Sequence, residues 1–309
     1  MTTVLFAAQD ERWDEYKAPL TQALADAGVR ANLVTQAPPA EVDYIVYAPN
    51  SGVQDFSPFT RLRAVLNLWA GVEAVAGNPT LTVPLARMVD TGLTEGMTEW
   101  VVGHVLRHHL GLDHDVTRAA PDWTMRTPPL ARDRKVTILG LGALGQAAAS
   151  ALRDLNFEVV GWSRSQKSVP GIACYSGETG LEQALRYAEI LVLLLPQTSA
   201  TENLVDANRL ALLPKGSVLL NPGRGPLIDD DALLAALDNG HVGHATLDVF
   251  RIEPLPDAHP YWHHPRVTVT PHIASATRAA SASQVVAENI RRGESGEPFL
   301  HLVDRSAGY

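Results

Sequence analysis

Short apolar runs alternate with helically spaced apolar positions from the start of the chain. Val4–Ala8 is followed by an amphipathic stretch near Trp13–Ala27, and then by Tyr44–Ala48, Ala64–Ala70 and Leu81–Met88. Brief apolar runs separated by helical periodicity predict βαβ units and a parallel sheet. A second series starts at Val136 and continues through Val159–Trp162, Ile190–Leu195, Ser217–Asn221, His244–Val249 and Val267–Thr270. Each series can close its own sheet, so the expected fold class is α/β with two doubly wound parallel-sheet domains. Between the series, Thr94–Leu112 has helical spacing, and the turn-rich, tryptophan-containing Asp113–Arg134 predicts an arm reaching a second subunit. After Pro271 the pattern returns to one helix, about Ser281–Arg291, and a tail. The second series therefore reads as a domain at 99–278 inserted into one formed by 1–98 and 279–309. No short-period repeat or low-complexity segment interrupts this order.

The sharpest local signal is Lys135-Val-Thr-Ile-Leu-Gly-Leu-Gly-Ala-Leu-Gly145, an apolar strand running into three glycines and an alanine-rich helix. Gly140 permits a tight turn, Gly142 lets backbone approach a pyrophosphate, and Gly145 lets helix and strand pack closely, with Ala143 and Leu144 opening the helix. A tight packing turn without ligand can carry the same glycines, but the strand-turn-helix context favours a Rossmann dinucleotide site. About 20 residues further on, where an NAD-binding turn carries an acidic residue, Arg164 stands instead. With Ser163, Ser165 and Lys167 it offers donors matched to a 2′-phosphate, which predicts NADP(H), NADPH preferred, over NAD(H). Read only as a solvated surface charge, Arg164 leaves NAD possible as well.

The 309 residues exceed what one core usually organises, and 46% hydrophobic content supplies both domains. A net charge of -9 gives no basic footprint for nucleic acid, and no apolar run is long enough to cross a bilayer. Met1–Ala8 passes quickly into charged residues and reads as a strand, not a signal peptide. Cys174, the only cysteine, lies between predicted elements with no CxxC partner; it excludes an internal disulfide and predicts a reducing, cytoplasmic setting.

Chemistry in a doubly wound sheet gathers at the carboxyl ends of strands. Arg224 follows Ser217–Asn221, Glu253 follows Asp248-Val-Phe-Arg-Ile, and His272 follows Val267–Pro271. Singly, they fit a loop charge, a solvated turn residue and a capped histidine. Together, behind a dinucleotide turn, they form an anion clamp, a carboxylate and a proton carrier, the equipment for reducing a 2-keto acid. Arg224 can hold a carboxylate and a keto oxygen, His272 can give that oxygen a proton, and Glu253 can orient the ring and favour its charged form.

His104, His108 and His109 lie on the predicted 94–112 helix, the first two one turn apart. Without the glutamate of an HExxH arrangement they read as an interfacial or solvated face, and no metal is assigned. His263 and His264 read as turn residues, beside a Trp262 able to close over an active site.

Over nearly its whole length the chain resembles the D-isomer-specific 2-hydroxyacid dehydrogenase family, most closely its glyoxylate/hydroxypyruvate reductase A branch. Besides the glycine turn, the similar passages are Trp69-Ala-Gly-Val72, Asp90-Thr-Gly92, Trp162-Ser-Arg164, Leu195-Pro-Gln-Thr198 with Thr201, and Asn221-Pro-Gly-Arg-Gly225. Asp248-Val-Phe250 with Glu253-Pro-Leu-Pro256, Pro271-His-Ile-Ala274, Val303-Asp-Arg305 and Gly308-Tyr309 complete the set. The resemblance implies a cofactor domain inserted into a flavodoxin-like substrate domain, with Arg224, Glu253 and His272 catalytic. It implies nucleotide contacts from Leu195, Pro196, Thr201, Pro222, Gly223 and Ala274 beside the turn, Arg224 and His272, and Asp248 holding the nicotinamide carboxamide. Substrate contacts come from Tyr47, Trp69, Ala70, Gly71, Arg224 and His272, the Ala70-Gly71 backbone binding the carboxylate. Tyr47 stands where the branch tends to carry tryptophan, and Trp69 where a smaller aliphatic residue is expected. The implied activity is NADPH-dependent reduction of glyoxylate or hydroxypyruvate to glycolate or D-glycerate by a homodimer. A dehydrogenase for another 2-keto acid, or a non-catalytic cofactor-sensing protein of the same fold, is the alternative.

Overall fold

The computed structural model describes residues 1–308; Tyr309, quoted above as part of the chain's ending, lies outside the described residues. In chain order the elements are β1 (Thr2–Ala7), α1 (Asp10–Asp26), β2 (Ala31–Val34), β3 (Tyr44–Tyr47), β4 (Ala64–Asn67), α2 (Glu73–Ala76), β5 (Leu85–Ala86) and α3 (Thr91–Leu110). They continue with α4 (Asp113–Val116), β6 (Lys135–Leu139), α5 (Ala143–Asp154), β7 (Glu158–Ser163), β8 (Ala173–Ser176), α6 (Gly177–Tyr187) and β9 (Ile190–Leu193). The last are α7 (Ala207–Leu210), β10 (Ser217–Asn221), α8 (Asp230–Asp238), β11 (Val242–Leu247), β12 (Val267–Val269) and α9 (Ala279–Ser295).

The chain divides into two compact units, Met1–Leu93 with Ala276–Tyr309, and Thr94–Ser275. The boundaries fall a few residues before the expected 98/99 and 278/279. Much of α3 goes with the second unit because Met97, Val101 and Val105 pack among Val136, Ile138 and Ala148.

The first unit holds a five-stranded parallel sheet, ordered β2-β1-β3-β4-β5, the flavodoxin-like arrangement. Its central strands β3 and β4 are buried along their length, so they read as apolar runs, broken only by Asn67 at the end of β4. Tyr16, Leu20 and Leu24 of α1 share one core layer with Val286 and Ile290 of α9. The second unit holds a seven-stranded parallel sheet, ordered β12-β11-β10-β9-β6-β7-β8. The chain winds outward from β6 through β7 to β8, then returns to β9 on the other side, a Rossmann topology whose direction reverses between β6 and β9.

Four readings from the sequence need correction. Leu81–Met88 forms a ladder only at Leu85–Ala86, since Pro84 has no N–H to donate, although Leu81 and Met88 are buried. The strands β2 and β8 were not expected; each is four residues long and pairs on one side only, with β1 and β7 respectively. Cys174 accordingly lies inside β8 rather than between elements. The outermost strands are the ones that never needed a fully apolar run.

Candidate active site

The glycine turn leaves β6 at the point where the sheet reverses direction. Gly140 has φ +108°, a conformation that side chains resist, and a Cβ there would overlap the Leu194 carbonyl beyond β9. A Cβ on Gly145 would overlap the Gly140 carbonyl oxygen, so α5 can approach its strand only through glycine. Gly142 stands at the N-terminus of α5, makes no side-chain cap, and has nothing within 4 Å of the place a Cβ would occupy. Open space in front of helix N–H groups fits a pyrophosphate.

After β7, Arg164, Ser165 and Lys167 are exposed. Ser163 is 8% exposed and its hydroxyl donates to the Ser165 carbonyl at 2.7 Å, so it shapes this corner rather than standing open to a ligand. Thr201 does the same after β9. Its hydroxyl donates to Pro196 O at 2.7 Å and accepts from Thr198 N at 2.8 Å, fixing the turn that follows the buried Leu195.

The carboxyl ends of β10, β11 and β12, three neighbouring strands, carry the candidate reactive groups. Asn221, the last residue of β10 and 1% exposed, donates from Nδ2 to Arg224 O at 2.9 Å and accepts from Gly223 N at 3.1 Å. The side chain thereby folds the Pro222-Gly223-Arg224 loop back onto its own strand. Arg224 is partly buried and donates from Nη1 to Gly223 O at 2.7 Å. Gly225 lies against Phe250, where a Cβ would overlap the backbone, so the loops after β10 and β11 touch. In the second loop Phe250 N donates to Glu253 Oε1 at 2.8 Å, and the other carboxylate oxygen, Oε2, lies 2.6 Å from His272 Nδ1. With Nδ1 engaged by the carboxylate, Nε2 is the imidazole nitrogen left for a further contact.

His272 has φ +53°, a left-handed conformation that costs a non-glycine residue roughly 1–3 kcal/mol. Around it, His272 N donates to Asp248 O at 2.8 Å, while Ile273 N and Ala274 N donate to Asp248 Oδ1 and Oδ2 at 2.9 and 2.8 Å. The Thr270 hydroxyl adds a third donor to the carboxylate at 2.5 Å. Asp248 has no exposed surface.

The sequence-predicted substrate residues sit in the first unit. Tyr47 is 1% exposed with its ring edge-on to Phe56 at 5.5 Å, a core side chain of that unit. Trp69 is exposed and follows β4, where the buried Asn67 donates from Nδ2 to Trp69 O at 2.8 Å and Gly71 O at 2.9 Å. Sequence reading missed Asn67 and Asn221; the only available signal was a polar residue ending an apolar strand just before a glycine-containing loop.

The histidines of α3 are not a solvated face. His109 is buried edge-on to Phe157, and the His108 and His244 rings lie 4.9 Å apart. His108 Nε2 is 2.9 Å from Thr246 Oγ1, and His244 Nε2 is 2.9 Å from Thr268 Oγ1. Burial pushes His108 down to about 3 and His244 down to about 4, so both are neutral near pH 7. Trp262 donates from Nε1 to Pro256 O at 3.1 Å, within its own loop.

A glycine-lined turn at the sheet reversal, with an arginine and a carboxylate-paired histidine along the same carboxyl edge, defines a nucleotide-dependent oxidoreductase. Residues 101–274 match the family described as D-isomer specific 2-hydroxyacid dehydrogenase, NAD binding domain. A glyoxylate/hydroxypyruvate reductase A from Serratia proteamaculans is 36% identical over 304 residues, 96% of each chain. This chain belongs to the D-isomer-specific 2-hydroxyacid dehydrogenase family. Among solved structures, a D-isomer specific 2-hydroxyacid dehydrogenase from Xanthobacter autotrophicus Py2, in complex with NADPH and MES, is 37% identical with a TM-score of 0.91, covering 100% of this chain and 99% of that one. An NADPH-dependent glyoxylate/hydroxypyruvate reductase from Sinorhizobium meliloti, in complex with NADP and sulfate, is 34% identical with a TM-score of 0.85 and full coverage of both chains.

Proposed function

We propose that this protein reduces a small 2-keto acid, glyoxylate or hydroxypyruvate, to glycolate or D-glycerate with NADPH. The observation that carries the reading is the 2.6 Å pair between His272 Nδ1 and Glu253 Oε2, set two strands from Arg224. The Serratia and Sinorhizobium relatives, both reductases of glyoxylate and hydroxypyruvate by name, support the substrate class. NADPH and NADP in the two solved relatives, with Arg164 in place of an acidic residue, support the cofactor.

Bound NADPH supplies the hydride. The protein's own work is to hold the acid and manage the proton. Arg224 holds the substrate through a planar fork, drawing charge toward the keto oxygen as it becomes anionic. The Ala70-Gly71 backbone takes the carboxylate. His272 gives the new hydroxyl its proton from Nε2, and Glu253 keeps the ring in the orientation this requires. Arg164, Ser165 and Lys167 would hold the 2′-phosphate. The 113–134 arm, with Val116 79%, Trp123 99% and Met125 91% exposed, is the dimer contact; apolar side chains this open normally mark a partner surface.

The test is a panel of glyoxylate, hydroxypyruvate and pyruvate, each with NADPH and with NADH. The reading expects consumption of NADPH, fastest with glyoxylate or hydroxypyruvate, and slower consumption of NADH. Failure of every small 2-keto acid to oxidise NADPH overturns it.

A further inference from the structure

Every backbone N–H from position 272 to 274 has an acceptor on Asp248, and His272 N also meets the Thr270 carbonyl at 3.0 Å. His272 N meets the Asp248 carbonyl at 2.8 Å, Ile273 N meets Oδ1 at 2.9 Å, and Ala274 N meets Oδ2 at 2.8 Å. Asp248 is itself anchored, its N–H donating to Asn221 O at 3.0 Å, in the residue that folds the Arg224 loop. The carboxylate is fully buried, and Thr270 supplies its remaining close donor. A left-handed histidine persists only where its surroundings fix it; here the Asp248 and Thr270 carbonyls hold its own N–H, and the two oxygens of one side chain hold the next two.

From this geometry we infer that Asp248 is a positioning residue: it acts on the reaction through His272, by clamping the 272–274 backbone so that the imidazole meets Glu253 and presents Nε2. This rests on the reading of His272 as the proton donor. It assigns Asp248 work that differs from a contact to the nicotinamide carboxamide. A carboxamide contact acts on nucleotide affinity and on hydride geometry, whether or not His272 is present. A clamp acts only while there is an imidazole to aim.

Replacing Asp248 with asparagine separates the two. The amide can accept one backbone N–H but turns its NH2 group toward the other, so one of the two peptide contacts is lost. The experiment compares wild type, Asp248→Asn, His272→Ala and the double variant, measuring kcat, KM for glyoxylate and the Kd of NADPH by fluorescence. The clamp expects kcat to fall by about 100-fold in Asp248→Asn, as for a misaimed catalytic group. It expects NADPH Kd to stay near that of wild type, and Asp248→Asn to cause no further loss in the His272→Ala background. Equal loss with and without His272, or a loss expressed mainly in NADPH Kd, overturns the inference while leaving His272's own role intact. Near-normal turnover in His272→Ala overturns both. Hydrogen exchange on the wild-type protein gives a readout independent of any variant's folding. The amides of Ile273 and Ala274 are expected to be strongly protected although Ile273 is an exposed residue, and exchange at the rate of an open loop overturns the clamp.

Discussion

The turn after β6 and the loop after β12 stand at the same edge of one sheet, yet they are built by opposite means. The turn exists because side chains are missing. Gly140 and Gly145 lie so close to neighbouring carbonyls that a single added carbon has no place, and Gly142 leaves open space before a helix terminus. The loop exists because side chains are present, with a left-handed His272 held by Asp248 from behind and by Glu253 at its ring. The lesson is that a surface made for binding backbone-first is written in one residue type. A histidine held in an unfavourable conformation is written in contacts between strands.

The contrast predicts opposite responses. At the loop, removing a side chain destroys the chemistry and spares the nucleotide: His272→Ala lowers turnover by about 100- to 10,000-fold with NADPH Kd near normal, checked by steady-state rates beside fluorescence titration. Equal damage to Kd would break the contrast. At the turn, adding a methyl does the reverse. Gly145→Ala forces α5 away from its strand at a cost of about 1–3 kcal/mol, read as a lowered melting temperature and weakened NADPH binding. The glyoxylate KM of the nucleotide-bound fraction stays close to normal. Between these lies Arg164→Ala, where loss of a charge-assisted contact worth about 1.5–3 kcal/mol lowers NADPH preference over NADH by about 10- to 100-fold, measured as the ratio of the two kcat/KM values.

A further effect is on stability alone. His108 and His244 are held down to about 3 and about 4 by burial, against 6.5 for an exposed histidine. Below pH 6.5 the unfolded chain binds protons that the folded one refuses, so stability is full above that value and is lost as pH falls toward 4. Each histidine contributes a slope of up to about 1.4 kcal/mol per pH unit in that window. Urea midpoints measured from pH 7 to 5 are expected to fall less steeply in His108→Gln than in wild type.

Much of this was legible in the residues. The two series of apolar runs, the inserted order and the three glycines could be read directly, because a buried parallel strand and a phosphate turn each have a one-dimensional signature. Arg224, Glu253 and His272 were legible as types of residue at strand ends. What held them was not. Asp248 and Ala274 are 26 positions apart and meet only because β11 pairs with β12. Of the two readings of the α3 histidines, the solvated one fails, because periodicity reveals a helix whereas a polar ring does not announce whether its face meets water or Thr246. The strands β2 and β8 were missed for a related reason: as edges they carry little of the apolar run that marks a central strand.

The central claim is that His272 delivers the proton when a small 2-keto acid is reduced by NADPH. Its most direct test is single-turnover oxidation of pre-bound NADPH on mixing with glyoxylate, for wild type and His272→Ala, with nucleotide occupancy recorded in the same samples. The account predicts rapid oxidation by wild type and a loss of at least about 100-fold in the variant at equal occupancy. Oxidation at comparable rates in both would contradict it.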